Sequence, residues 1–416
     1  MAEPRGVTAP AHRKLLGMPV PLRRVAFRRL WVGMSTSYAG NRLQQLAQGW
    51  LVATVTGSAV GVGLITALGS IPLLLLPFGG VIAEQVDRRR LLLAGQIVGA
   101  ATTLAIAGLV FSQQIAVWHI YAWAFVNGVI TLVARPAYKV VLTEAVPAEE
   151  VRAAVALNSM TETASLVAVN AGGSMLMGVL GLPVAFVLNT ASYLVAAATL
   201  WAVPGSGALP AGSSGSLRVG SILADLRDGL DYLRATPALL QPLLLTFALI
   251  LVTGPVLGLL PAIVQARGGT IVELGMLSAS VSVGSLGGAI FAGAREPGAR
   301  PISAYALFGL GAAVAVALFA LAPTGIVAVL TLGTIGFVAF AEAVWNTSRI
   351  RQVASPAFQA RLQALTSMAF TFGFALGTLW AGLALDQWGI IALLGGAAAL
   401  TLCSLAILAR HARTPA

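Results

Sequence analysis

The sequence predicts an all-α membrane protein with twelve transmembrane helices in two pseudo-repeated six-helix bundles. Three observations carry that expectation. Of 416 residues, 58% are hydrophobic and only 9% are charged, with a mean hydropathy of +0.89. A soluble domain carries about 25% charged residues, so this much apolar surface has no place except lipid. The apolar residues fall into twelve runs, each close to the ~20 residues that a spanning helix needs. And a short sequence recurs half a chain-length later.

In order, the runs are 30–56, 60–83, 91–111, 115–136, 154–178, 183–203, 240–264, 274–294, 303–322, 325–348, 364–385 and 389–409. No alternating barrel pattern appears. They imply a basic arm over 1–26, a first bundle over 27–203, a linker over 204–237, a second bundle over 238–410 and a short tail over 411–416. The linker opens with Pro204 and the flexible Gly212-Ser213-Ser214-Gly215-Ser216. Leu223, Leu226, Leu230 and Leu233 then recur at helical spacing, which predicts an amphipathic helix resting on the membrane face.

Basic residues orient the spans. With both termini in the cytoplasm of a cell whose plasma membrane holds the chain, 23 of the 25 Lys and Arg fall on the cytoplasmic side. Only Arg42 and Arg267 lie elsewhere. That asymmetry follows the preference of Lys and Arg for cytoplasmic loops, so the net charge of +11 speaks for topology rather than nucleic acid. The apolar run after residue 26 is too long for a cleavable signal and lacks a clean cleavage site. One cysteine, Cys403, excludes a disulfide scaffold. His12, His119 and His411 are far apart, so no metal site is expected. No cofactor is expected either.

The linker sits at the midpoint, and the flanking halves repeat. Pro147-Ala-Glu-Glu-Val-Arg152 is followed by Ala156-Leu157-Asn158-Ser159-Met160. Pro356-Ala-Phe-Gln-Ala-Arg361 is followed by Ala364-Leu365-Thr366-Ser367-Met368. Met160 and Met368 stand 208 positions apart, as do Gly181 and Gly389. Duplicated bundles of this kind hold a solute site at their interface near mid-membrane.

The segment Gly79-Gly80-Val81-Ile82-Ala83-Glu84-Gln85-Val86-Asp87-Arg88-Arg89-Arg90 resembles the signature loop of the major facilitator superfamily. The resemblance is nearest to the branch of enterobactin exporters and macrolide efflux pumps. Phe27-Arg28-Arg29-Leu30-Trp31, Trp50 with Thr56-Gly57-Ser58, Arg135-Pro136-Ala137 with Glu144 and Pro147, and Gln352-Val353 with Arg361 support it. The chain departs from the pattern at Glu84, where the loop acid is usually Asp. It departs at Asn41, where an acid is common, and at Gly173-Ser174, where antiporters often carry Gly-Pro. The resemblance implies a secondary transporter and a conformational latch built from Gly80, Glu84, Asp87, Arg88 and Arg89. The same residues would also serve as plain positive-inside anchors.

Polar groups inside the spans mark the remaining candidates. Arg42 sits mid-span one, and Asn41, Gln45 and Gln48 share one face there. That stripe lines a water-filled cavity or hydrogen-bonds to neighbouring helices. Glu162, on the face of Asn158, could carry a proton or pair with Arg42. Glu342, with Asn346 and Arg349 on its face, could carry a proton or pair along its helix. His119, Trp123, Asn127, Thr131 and Arg135 form one face of span four. His119 could titrate, and Trp123 and Trp345 could stack on a solute. Asp386 and Glu273 read as loop acids. Gly284 and Gly288, and Gly373, Gly377 and Ala381, form small-residue faces on which the halves would slide.

The expected activity is therefore export of small amphipathic molecules, drug or siderophore type, by proton antiport with alternating access. The partners would be a small-molecule substrate, protons and membrane lipid, without nucleic acid, and the protein a monomer. Uptake or lipid movement on the same fold is the alternative, and a non-transporting scaffold is a further one. No Walker A run suggests ATP drive, and no nucleophile–base pair or metal cluster suggests an enzyme.

Overall fold

The structure, a computed structural model, describes residues 19–75, 86–202, 219–295, 301–322 and 324–413. The described residues form helices and turns and contain no strand. Span one is Val25–Thr56. Span two is Ala59–Ser70 with a tighter turn Ile71–Leu75; its expected remainder lies outside the described residues. Spans three and four are Arg88–Phe111 and Val117–Glu144. Span five runs Val151–Ala168, widens over Val169–Gly173 and ends as Ser174–Leu180. Span six is Pro183–Ala202. The linker helix is Val219–Ala235. Span seven is Pro237–Gly258, continued after a break as Leu260–Ala266. Spans eight to twelve are Ile271–Ala294, Pro301–Leu321, Gly325–Val353, Pro356–Trp388 and Ile391–Arg413.

Ten of these helices are by themselves long and apolar enough to cross a membrane. Span one has the length, but Asn41, Arg42, Gln44, Gln45 and Gln48 dilute its apolar character. Span eleven starts at Pro356 rather than near 364. Its first turns are polar on one side and carry the linker helix. Arg361 pairs with Asp225 at 2.6 Å and Asp228 at 3.6 Å, and Tyr232 stacks on Phe358 at 4.3 Å between ring centroids. The linker helix thus rests on the second bundle, and Leu233 is buried in a small cluster with Leu239, Ile350 and Leu362.

The duplication is visible in the turns. Among the described residues, those with positive φ are Gly57, Gln113, Gly181, Gly268, Gly325 and Gly389. They follow spans one, three, five, seven, nine and eleven. All six turns at the end far from the N terminus, here the distal end, therefore reverse through one left-handed residue. Gly57 and Gly268 stand 211 apart, and Gly181 and Gly389 stand 208 apart. The cap after the first pair recurs as well. Ser58 accepts from Gly61 N and Thr270 from Glu273 N.

Within each half, span six packs on spans one and three, and span twelve on span nine. Spans eight and ten approach backbone to backbone. A Cβ on Gly284 would strike the Gly333 carbonyl, and one on Gly288 the Phe337 carbonyl. Gly377 likewise meets Leu251 O of span seven. These glycine faces therefore bind helices of one half to each other and do not form the surface between halves. They are small because carbonyls lie where side chains would stand.

The halves meet along spans two and eleven, spans five and eight, and the distal ends of spans one and seven. Asp386, in the last turn of span eleven, caps span two. Its carboxylate accepts from Ala59 N at 2.8 Å, Val60 N at 3.2 Å and the Ser58 hydroxyl. It is thus an interhelical cap rather than a loop acid. A carboxylate at a helix N-terminus meets both free N–H groups and the positive end of the dipole. Gln265 Nε2 donates to Thr54 Oγ1 at 2.7 Å and Trp50 O at 3.0 Å. Asn170 Nδ2 donates to Ser282 Oγ at 2.9 Å, near mid-depth. Among the described residues, every hydrogen bond between halves lies between the distal end and that depth. No hydrogen bond or ion pair between described residues joins the halves at the proximal end, which carries the linker helix.

Replacing Asp386 with Ala should weaken distal closure by about 1–2 kcal/mol, a factor of about 5–30 in the open-to-closed ratio. The measurement is the rate at which maleimide labels Ala53→Cys, a buried position at the distal rim, in a Cys403→Ser background. An unchanged rate would mean that the cap does not hold the halves together.

Candidate functional site

Span one presents two polar faces that differ in what covers them. Gly33 and Gly40 lie against Thr199 and Ser192, so that side is sealed by span six. Next to it, Asn41 and Gln44 enter a network. Asn189 Nδ2 donates to Asn41 Oδ1 at 3.2 Å and to Gln44 Oε1. Tyr193 OH donates to Asn41 Oδ1 and, at 3.3 Å, to Asn127 Oδ1. Thr103 Oγ1 donates to Gln44 Oε1 at 3.1 Å. Ser37 Oγ reaches Gln96 Oε1 at 3.0 Å one turn nearer the proximal end. Four spans are tied together by amides and hydroxyls that satisfy one another. Asn41 and Asn127, both read from the sequence, belong here. Asn189, Tyr193 and Thr103 were missed, because nothing in a single span's periodicity points to a partner on another.

The second polar face turns toward the other half. Gly49 touches Pro261 of span seven, and Arg42 lies seven residues earlier on the same side of the helix. Arg42 is half-buried. Its Nη1 donates to Gln45 Oε1 at 2.9 Å and its Nη2 to Tyr38 OH at 2.7 Å. The guanidinium sits 4.9 Å from the Tyr38 ring centroid. Gln45 is exposed and Gln48 half-buried. Leu43 of span one lies against Gly173 of span five, so Arg42 stands near the depth of Asn170, where the halves part.

Glu162 is held by its own helix. Asn158 Nδ2 donates to Glu162 Oε1 at 2.8 Å, and Tyr138 OH of span four donates to Asn158 Oδ1 at 2.7 Å. Pairing with Arg42 is not formed. In the second half, Glu342 is only 1% exposed. Thr246 Oγ1 of span seven donates to its Oε2 at 2.9 Å, and Asn346 Nδ2 donates to Thr246 Oγ1 at 2.7 Å. Arg349 Nε instead donates to Ala238 O at 2.8 Å. Thr246 carried no signal in the sequence. No Lys or Arg among the described residues lies within ion-pair distance of either carboxyl.

On span four, Trp123 is 4% exposed and packs edge-on to Phe186 at 5.8 Å, inside the core of the first half. Trp345 stacks on Phe308 at 4.8 Å and donates from Nε1 to Arg295 O. His119 Nδ1 accepts from Ala116 N at 3.0 Å and so caps the start of its helix.

In the signature loop, Gly80 and Glu84 lie outside the described residues. Asp87 caps span three through Arg89 N at 2.9 Å and Arg90 N at 3.0 Å. Arg88 pairs with Glu144 at 2.9 Å, and Arg89 binds the carbonyls of Leu200 and Trp201. All these partners belong to the first half.

Residues 17–415 match a family profile described as transmembrane secretion effector. Over 273 residues the chain is 22% identical to macrolide efflux protein A of Streptococcus pyogenes. That match covers 65% of this chain and 66% of the relative, just under two thirds of its length. Among solved structures, the nucleoside transporter NupG superposes with a TM-score of 0.69 at 14% identity, covering 92% of this chain and 98% of that one. A bacterial homologue of the human lysosomal transporter Spinster gives 0.68 at 14% identity, covering 94% and 95%. These likenesses show a shared fold.

Replacing Asn189 with Leu removes one of the two donors to each of Asn41 and Gln44, which keep Tyr193 and Thr103. The expected loss is about 1 kcal/mol, in the range measured for single hydrogen bonds between membrane helices. It should appear as a lower thermal midpoint of the purified protein. An unchanged midpoint would show that the network is dispensable for stability.

Proposed function

The chain belongs to the transmembrane secretion effector family of major facilitator transporters, which are not enzymes, and we propose that it exports small amphipathic molecules across the plasma membrane in exchange for entering protons. One observation supports this reading above the others. The two duplicated halves are bound at the distal end and down to mid-depth, and polar groups stand at the depth where they part. Such a geometry suits alternating access, in which the same site opens to one side and then the other. With both termini cytoplasmic, the proximal end, where no hydrogen bond between described residues joins the halves, faces the cytoplasm, where an exported solute is collected. The macrolide efflux relative favours outward movement of a drug-type solute, and a siderophore-type solute is of similar amphipathic character.

Glu162 and Glu342 are the proposed proton carriers. Each carboxyl sits among neutral donors, so it can exchange a proton without breaking a salt bridge. A proton entering with the potential supplies about 2.3 kcal/mol per 100 mV. His119 is a third titratable group, but protonating Nδ1 would remove a helix cap. Gln48 stands beside the proposed path as polar lining, whereas Asn346, proposed from the sequence for the cavity, is buried against Thr246 and supports the Glu342 cluster instead. In the outward-open state, Asp87, Arg88 and Arg89, with Gly80 and Glu84, would close the proximal end as a latch of charge-assisted hydrogen bonds. The protein is proposed to act as a monomer.

The test uses vesicles holding the full chain. A proton gradient should drive movement of an amphipathic dye, and a protonophore should abolish it. Glu162→Gln should impair coupling, lowering gradient-driven movement about tenfold or more while dye exchange without a gradient continues. Movement that survives both the protonophore and Glu162→Gln would overturn proton exchange. A deletion strain should also gain drug sensitivity or retain siderophore.

A further inference from the structure

The ionisable side chains within the spans are unequally matched. Glu162 and Glu342 each bind a neutral donor of their own half. Arg42 binds only neutral acceptors, Gln45 and Tyr38. A guanidinium offers five N–H donors in a planar fork. The two bonds formed by Arg42 leave most of that fork unused. A cation at such depth is costly, about 2.5–3.5 kcal/mol on insertion scales, unless water or a counter-charge attends it.

Neither carboxyl can become that counter-charge by a rocking motion. Spans one and five run parallel in the same bundle, with Leu43 against Gly173. Glu162 precedes Gly173 by eleven residues, so it lies about 15 Å nearer the proximal end than Arg42. Movement of one half against the other leaves that offset unchanged. Glu342 is enclosed in the second half against Thr246. The repeat supplies nothing either. The offset of 211 that relates Gly57 to Gly268 places Thr253 opposite Arg42 in the pseudo-symmetric position, and Thr253 bonds its own helix at Leu249 O.

We infer that Arg42 is the recognition group for a solute bearing a carboxylate, sulfonate or phosphate, seated where the two halves part. The inference rests on the transport reading above and gives it a substrate class. A planar fork with free donors matches an oxyanion in two parallel hydrogen bonds. Tyr38 and Gln45 hold the fork on the face that Gly49, two turns further on, presents to span seven. The anion would replace the missing counter-charge while bound, and leave with the solute.

The experiment measures binding, not transport. The full chain is placed in nanodiscs of zwitterionic lipid, and the anisotropy of two xanthene dyes is read against empty nanodiscs. Fluorescein carries the anion and rhodamine 6G the cation. Fluorescein should bind more tightly than rhodamine 6G by roughly tenfold or more, and Arg42→Gln should remove about that factor. Arg42→Lys, which keeps a cation but loses the fork, should retain part of the preference. Thermal midpoints of the variants report folding. If Arg42→Gln does not fold, Arg42→Lys decides: a fluorescein preference undiminished in that variant overturns the assignment. Tighter binding of rhodamine 6G, fluorescein binding that survives Arg42→Gln, or no binding of either dye overturns the assignment. Failure of proton-driven movement in vesicles would sink the transport reading and leave the binding result intact.

Discussion

Hydrocarbon offers no hydrogen bonds, so each polar group in a span must find a protein partner or stand where water reaches it. This constraint sorts the polar residues of span one into two kinds, although they are neighbours in sequence. Asn41 and Gln44 satisfy themselves against Asn189, Tyr193 and Thr103, and bind spans one, three, four and six into a block. Arg42 and Gln45 satisfy each other only in part, on the side facing the second half. The first set makes the half rigid. The second set makes its inner surface polar. A helix that serves both purposes is too polar to resemble a spanning segment by itself, and it is tolerated because one polar face is sealed by span six and the other turns toward the second half.

The duplication kept the packing and changed what fastens it. Spans two and eleven meet as spans five and eight do, and the turns around them reverse through matched left-handed residues. Yet the acid that caps span two, Asp386, has Gly178 at the place 208 residues earlier, where a side chain would strike Val272. On that side the halves are held deeper, by Asn170 on Ser278 and Ser282. One seam is therefore fastened at the rim by a charge and the other at mid-depth by an amide. Each half also carries its own proximal strap. Arg24 pairs with Glu150 on the first, and Arg361 with Asp225 on the second. These surface pairs are worth little in energy, but neither crosses between halves.

Much of the fold was legible because it is periodic. Apolar runs of spanning length, basic residues in alternate loops, and leucines at helical spacing in the linker are local signals. What the sequence concealed is pairwise and distant. Asp386 and Ser58 are 328 positions apart, and nothing near Asp386 distinguishes a helix cap from a loop acid. Gly284 and Gly288 show that something comes close, but not that it is span ten of the same half. The stripe of Asn41, Gln45 and Gln48 has helical spacing, which says that the residues are near one another and leaves open what covers them. Asn41 and Arg42 differ by about 100° around the helix, and that rotation separates a sealed network from the inner surface. Glu342 stood out as an intramembrane acid, whereas Thr246, which holds it, is an ordinary threonine in an apolar run.

The same division bears on how such a molecule would move. Nearly all polar groups are satisfied within a half, so a rigid-body swing leaves those bonds whole. Among the described residues, the hydrogen bonds that must break are few: the carboxylate of Asp386 on the start of span two, the amide of Gln265 on Trp50 and Thr54, and the amide of Asn170 on Ser278 and Ser282. Together they make seven hydrogen bonds, three by Asp386 and two each by Gln265 and Asn170, each with a net worth on the order of 1 kcal/mol, somewhat more for the charged one. New bonds at the proximal end offset part of that loss. The two states then differ by a few kcal/mol, which is the range in which one bound solute or one proton shifts the population. Glycines also bring backbone to backbone between the halves: a Cβ on Gly63 would strike the Thr378 carbonyl, one on Gly382 the Ala59 carbonyl and one on Gly275 the Asn170 carbonyl. The closer approaches of Gly284 and Gly288 to span ten stay inside a half, so a swing leaves those whole and opens the seams of spans two and eleven and of spans five and eight.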